Sequence, residues 1–181
     1  MRTRRPAGIA LIAAAWLALG PPAALAQPLS LSPIRIRGVI EKIDEGALTI
    51  RTREGQSVVV QVSHNRSMIA VTRATVADIK PGMYVGAPAV PQPGGTFRAQ
   101  AIVMFPDAAR GANEGHYPWD LSPESTMTNA TVMTLVTQAS GTILTLKHKD
   151  GETRVMVPPD APIVTLLPGD WTLIAVGAAV F

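Results

Sequence analysis

The stretch Gly38–Val62, GVIEKIDEGALTIRTREGQSVVVQV, decides the fold. Apolar and polar residues alternate along it, which is the period of strands with one buried face. Leu48 and Ile50 fall on one side while Thr49, Arg51 and Arg53 fall on the other, and Val58, Val60 and Val62 share a face. Glu54-Gly55 stands where a hairpin needs a residue that accepts positive φ. A weaker copy follows at Thr134–Val157, TLVTQASGTILTLKHKDGETRVMV. In it Leu144-Thr145-Leu146 aligns with Leu48-Thr49-Ile50, and Asp150-Gly151 with Glu54-Gly55. After a one-residue deletion Val155-Met156-Val157 aligns with Val60-Gln61-Val62, and Gly177 falls on Gly82. The pattern predicts a tandem of small β modules.

Outward from this hairpin, Ile34–Ile43 reads as a long first strand, with Ala47–Arg53 and Gln56–Val62 as the second and third. Thr75-Val76-Ala77-Asp78 has the spacing of an N-cap with an acidic residue three positions on, so one helical turn is predicted there, stopped by Lys80-Pro81-Gly82. Met83–Val90 reads as the fourth strand. Phe97–Phe105 reads as the fifth, with Phe97, Ala99, Ala101 and Val103 on one face. Five strands with a short helix after the third is the layout of a small OB-like barrel. The expected fold is therefore all-β: two tandem OB-like β-barrel modules at 34–106 and 129–181, the second lacking its last strand. Residues 107–128 have no sustained periodicity and read as a linker. An open edge is expected in the second module, making it the less stable half and a place for self-association or a borrowed strand.

The chain begins with a basic head (Arg2, Arg4, Arg5), an apolar run Ala7–Leu19, the helix break Gly20-Pro21-Pro22 and Ala24-Leu25-Ala26. That is the plan of a secretory signal peptide over residues 1–26, cleaved between Ala26 and Gln27, with 27–33 as an irregular lead-in. The apolar run falls well short of the roughly 20 residues that span a bilayer. A periplasmic or secreted protein with no membrane span after signal removal is expected. There is no Cys, which excludes a lipid-modified cysteine, disulfides and thiolate metal sites.

Lys and Arg total 16 against 13 Asp and Glu, but three of the Arg belong to the leader, so the remaining chain is formally neutral. A nucleic-acid partner is not expected, because the basic footprint is missing and the strands carry few aromatics. Residues 28–106 carry an excess of positive charge, and 107–181 an equal excess of negative charge.

The whole pattern resembles a group of secreted bacterial proteins built from a small OB-like β domain of unknown function, found in tandem copies. The residues that carry the resemblance are Gly38-Val39-Ile40-Glu41-Lys42-Ile43-Asp44, Leu48-Thr49-Ile50 and Val76-Ala77-Asp78-Ile79-Lys80-Pro81-Gly82. Gly115–Asp120 and Thr126–Val132 carry it too. Some such proteins bear the label metal ABC transporter permease, which this chain cannot be, because it lacks the several spanning helices a pore requires. The resemblance implies further sequence beyond the position of Phe181, with another strand, where this chain stops.

No motif for catalysis stands out: there is no G-x-S-x-G elbow, Ser-x-x-Lys or H-E-x-x-H. A non-enzymatic module that binds an envelope protein or small ligand is expected. Its candidate contact residues are His116, Tyr117, Trp119 and Asp120, where aromatic area concentrates in an aromatic-poor chain. The competing expectation for Trp119 is a plug, the linker folding back so that its ring covers a barrel end. The alternative function is a weak metal-binding accessory protein that uses His116, Glu114 and Asp120. No other cofactor is implied. His64 reads as a loop residue, and His148, flanked by Lys147 and Lys149, as a surface residue. Met127, Met133 and Met156 read as core filler.

Overall fold

Alternation over short runs produces strands joined by tight turns. The computed structural model describes residues 34–63, 65 and 67–181. The expected leader, its cleavage point, the lead-in and His64 lie outside the described residues. The first hairpin system is β1 (Gly38–Asp44), β2 (Ala47–Thr52) and β3 (Ser57–Gln61), an antiparallel meander. Next come β4 (Met68–Ala74), β5 (Tyr84–Pro91), β6 (Phe97–Ala99) and β7 (Ile102–Met104). The rest of the chain supplies β8 (Gly115–Pro118), β9 (Thr126–Gln138), β10 (Gly141–His148), β11 (Gly151–Val157), β12 (Ile163–Gly169) and β13 (Ala179–Val180). The helical turn expected after Thr75 is a single 3-10 turn, Val76–Asp78. The Thr75 N–H donates to Asp78 Oδ2 at 2.8 Å, so the acidic residue closes the turn from inside.

Five strands close into a ring in the order β9–β10–β11–β6–β5 and back to β9. One pair in this ring is parallel, β11 with β6, where Val155 faces Phe97. The protein is all-β, with an OB-like closed barrel. Its interior is filled by Val85, Ala87, Ala89, Ala99, Val132, Leu144, Leu146 and Val155, each at most 3 % exposed. The remaining sheet, β13–β1–β2–β3, is a half-barrel whose buried side chains are few, chiefly Ile40 and Ile50. A two-stranded ribbon, β4 with β12, is antiparallel and joins the ring through β7.

The barrel takes β5 and β6 from before the 107–128 stretch and β9, β10 and β11 from after it. The half-barrel takes β1, β2 and β3 from before and β13 from after. The crossing is made in the same way in both places. Gly82 N–H donates to Val132 C=O at 2.8 Å and Val132 N–H to Met83 C=O at 2.9 Å. Gly177 N–H donates to Ile40 C=O at 2.8 Å and Ile40 N–H to Ala178 C=O at 2.9 Å. Both β1 and β9 bulge beside these contacts, at Glu41 and at Met133. A bulge bends a strand, and here it lets β1 and β9 leave one neighbour for the next. Gly82 and Gly177 each sit at φ 89°, a conformation that glycine accepts without strain.

Three features differ from the sequence expectation. Among the described residues the open edge falls on β3, in the first half of the sequence, because β9, β10 and β11 are closed by β5 and β6. The fifth strand is broken: β6 pairs with β11, and β7 pairs with β12 and β5. The break at Gln100-Ala101 reverses parity, so that Ile102 and Met104 are buried instead of Ala101 and Val103. Finally, β8 forms within the supposed linker and pairs with β9 from Gly115↔Asn129 to Pro118↔Thr126.

The difference in burial sets the energetics. Leu144→Ala removes a side chain with no exposure and should destabilise the protein by about 2–5 kcal/mol. Leu48, its counterpart in the half-barrel, is only half-buried, and Leu48→Ala should cost less than half as much. Urea unfolding of both variants checks this. An equal or larger loss for Leu48→Ala would mean that the closed barrel is not the centre of stability.

Candidate functional site

β8 lays a polar layer against the barrel. His116 sits opposite Thr128 of β9, and its Nδ1 lies 2.8 Å from Thr128 Oγ1. The imidazole meets the Phe97 ring edge-on at a centroid distance of 4.8 Å. It also lies nearly parallel to the His148 ring, at 6.3 Å and 25°. His148 is not a surface residue: it is 8 % exposed, on the same face of β10 as Leu144 and Leu146. Strand parity prevailed over its two lysine neighbours, which point outward. Its Nε2 lies 3.1 Å from Thr153 Oγ1, while Nδ1 is buried and has no hydrogen-bond partner among the described residues. Burial, and then the neighbouring His148, holds the His116 pKa below the ordinary histidine value.

One strand further in, Asn129 Nδ2 donates to Ala112 C=O at 3.3 Å and to Tyr117 Oη at 3.1 Å. Tyr84 Oη donates to the same carbonyl at 3.1 Å. Burial, with the nearby Glu114 charge second, pushes the Tyr84 phenol up to about 12, so it keeps the proton that it donates to that carbonyl. Gly86 permits this approach, since a Cβ there would stand 2.9 Å from Asn129 Oδ1. These bonds hold the 106–125 segment on the barrel. Trp119 closes the segment: its N–H donates to Ser125 C=O at 2.7 Å, and its carbonyl accepts from Ser125 Oγ at 2.9 Å. Its half-buried ring stands edge-on to Tyr117 at 6.2 Å. Asp120 turns away to Arg37, accepting from the guanidinium at 2.7 Å.

His116, Tyr117 and Trp119 are thus gathered on one segment, with Tyr117 bonded to Asn129 and Asp120 to Arg37. The proposed metal set does not assemble. Among the described residues no three His, Asp or Glu side chains come together as a ligand group, and Glu114, His116 and Asp120 are no exception. Of the methionines, Met127 is 8 % exposed and Met133, at the bulge, is 44 % exposed. A cleft of about 390 Å³ opens between Thr75-Val76 and Gly141-Thr142, with no titratable side chain in its lining.

The half-barrel presents a different surface. Leu48, Val58 and Val60 are only half-buried, whereas Leu144, Thr153 and Val155 at the matching places in β10 and β11 are buried. On β3 the residues that bond β2 alternate from Gln56, which accepts from Thr52 at 2.7 Å, to Val62, which donates to Gly46 at 2.8 Å. That alternation turns the N–H and C=O of Ser57, Val59 and Gln61 away from β2. Val59, Ile69 and Phe181 are 65, 61 and 72 % exposed. Glu41, at the bulge, accepts from Arg51 Nε at 2.6 Å and from Ser57 Oγ at 2.9 Å, binding the three strands to one another. The Ser57 hydroxyl is the largest influence lowering the Glu41 pKa.

No family model, curated protein or solved structure matches this chain.

The His116 environment makes a titration prediction. A folded-state pKa below the unfolded value near 6.5 means that the unfolded chain binds the proton more readily. This group therefore removes stability as pH falls below about 6.5, and has no effect well above it. In an NMR titration the His116 ring protons should move with a midpoint below 6.5. A midpoint at or above that value would contradict the desolvated position described for the ring.

Proposed function

We propose that this chain is a non-enzymatic binding module of the cell envelope whose contact surface is the open half-barrel. The observation that supports this reading is the contrast between the filled closed barrel and the half-barrel. There Leu48, Val58 and Val60 remain partly accessible beside a strand edge that has no partner among the described residues. Exposed apolar area next to free backbone donors and acceptors is a surface suited to a protein partner. The envelope assignment draws on the leader-like residues 1–26 and the resemblance to secreted bacterial OB-like domain proteins. Among the described residues no helix is long and apolar enough to cross a membrane. The β8 layer has a holding role in this reading: its side chains bond one another and the barrel.

A photo-reactive amino acid placed at Val59 tests the proposal in the native envelope, with the same group at exposed Lys147 of the closed barrel as the comparison. A discrete protein adduct from position 59, absent from position 147, is the expected result. No adduct from 59, or the same adducts from both positions, would count against the half-barrel as the contact surface. Calorimetric titration with Zn(II), Cu(II) and Ni(II) should show no stoichiometric heat. A one-to-one heat lost on His116→Ala would instead support the metal-binding alternative.

A further inference from the structure

We infer that the half-barrel is an acceptor for a β-strand donated by another polypeptide, which enters parallel to β3 and continues along the outer edge of β4. The inference rests on the binding-module reading and names the chemistry of its partner. Its template is inside the molecule. In the closed barrel, β11 is covered by β6 in parallel, with Val155 opposite Phe97 and Met156 opposite Arg98. The same stretch of chain then continues as β7 along β12, with Ile163 opposite Ile102, Val164 opposite Val103 and Thr165 opposite Met104. β3 and β4 stand in the half-barrel where β11 and β12 stand in the barrel. Val71 and Leu166 are the same number of residues apart as Gly82 and Gly177, and they face each other in the β4–β12 ribbon. A local two-fold axis therefore passes through that pair and carries β12 onto β4.

Applied to β6–β7, this axis places a strand on two edges that have no partner among the described residues. The incoming first residue would lie opposite Val60 and the second opposite Gln61. The sixth to eighth residues would lie opposite Met68, Ile69 and Ala70. The backbone groups this register uses on the acceptor are the C=O of Val59 and the N–H and C=O of Gln61, which already point away from β2. The apolar surface to be covered is that of Leu48, Val58 and Val60. The donor that fits resembles Phe97–Met104, FRAQAIVM: aromatic at the first position, small at the third, apolar at the sixth to eighth. This is strand addition to a sheet edge, in which main-chain bonds supply affinity and alternate side chains supply selectivity.

The test uses the protein from Gln27 to Phe181 and a synthetic peptide with the sequence of residues 97–105, FRAQAIVMF, carrying a fluorophore. Because the chain has no cysteine, one can be placed without background. Saturable binding by anisotropy is expected, weakened at least 10-fold by Gln61→Pro. Proline on an edge strand removes the outward N–H and spares the ladder with β2. An unchanged circular dichroism spectrum confirms that this variant folds. In the second arm, Gln61→Cys should form a disulfide with the peptide bearing Cys at the Arg98 position, and not with the one bearing Cys at the Ala101 position.

A peptide that fails to bind, binds equally to Gln61→Pro, or cross-links without regard to register would overturn strand acceptance. So would a dimer in sedimentation that is abolished by Gln61→Pro, since β3 would then pair with a second copy. If the Val59 photo-adduct persists while the peptide fails, the binding-module reading stands and only the donated strand falls.

Discussion

The structure depends on β5, the strand that bonds β9 on one edge and first β7, then β6, on the other. Its registers with β9 run without interruption from Tyr84↔Thr131 to Ala89↔Thr126. Buried along nearly its whole length, it is built of small residues, because neighbours press on both faces. Pro88 has no N–H to give. It stands between Gly86, the last residue paired with β7, and Ala89, the first paired with β6, and its carbonyl accepts from Gln100 at 2.8 Å. The break in the fifth strand and the gap in the β5 ladder are thus one feature seen from two sides.

From β5 follows the interlocking of the chain. The barrel cannot close on β9–β11 unless the segment before residue 107 reaches across to them. Once β5 and β6 are used there, β1–β3 have, among the described residues, the two-residue β13 on one edge and no strand on the other. The same strand economy that fills one barrel with Leu144, Leu146 and Val155 leaves Leu48, Val58 and Val60 partly uncovered. Stability and an accessible surface therefore come from opposite ends of one arrangement. The β8 layer reinforces the stable end: Tyr84 and Asn129 converge on the Ala112 carbonyl and hold the crossing segment in place.

Much of this was legible in the residues, and what was not has physical reasons. Alternation located β1, β2, β3, β5, β10 and β11, and Thr75 with Asp78 marked the turn. Alternation tells which face of a strand is buried, but says nothing of which strand lies beside it. The exchange of partners, and with it the position of the open edge, could not be read. β8 and the start of β9 were missed because their buried residues are polar: Thr128 and Asn129 are 0 and 5 % exposed. They tolerate burial through bonds to His116, Ala112 and Tyr117. Hydropathy cannot show such partners. For His148 the parity signal was present in Leu144 and Leu146, and the flanking lysines concealed it.

The central claim is that the closed barrel belongs jointly to both parts of the chain, and fragment complementation tests it most directly. Residues 27–106 and 107–181, produced separately, should each lack cooperative thermal unfolding by circular dichroism. Mixed during refolding, they should regain it as a one-to-one complex, because β5 and β6 then meet β9, β10 and β11. Cooperative unfolding of residues 107–181 alone, with slow hydrogen exchange at Leu144, Leu146 and Val155, would contradict the account.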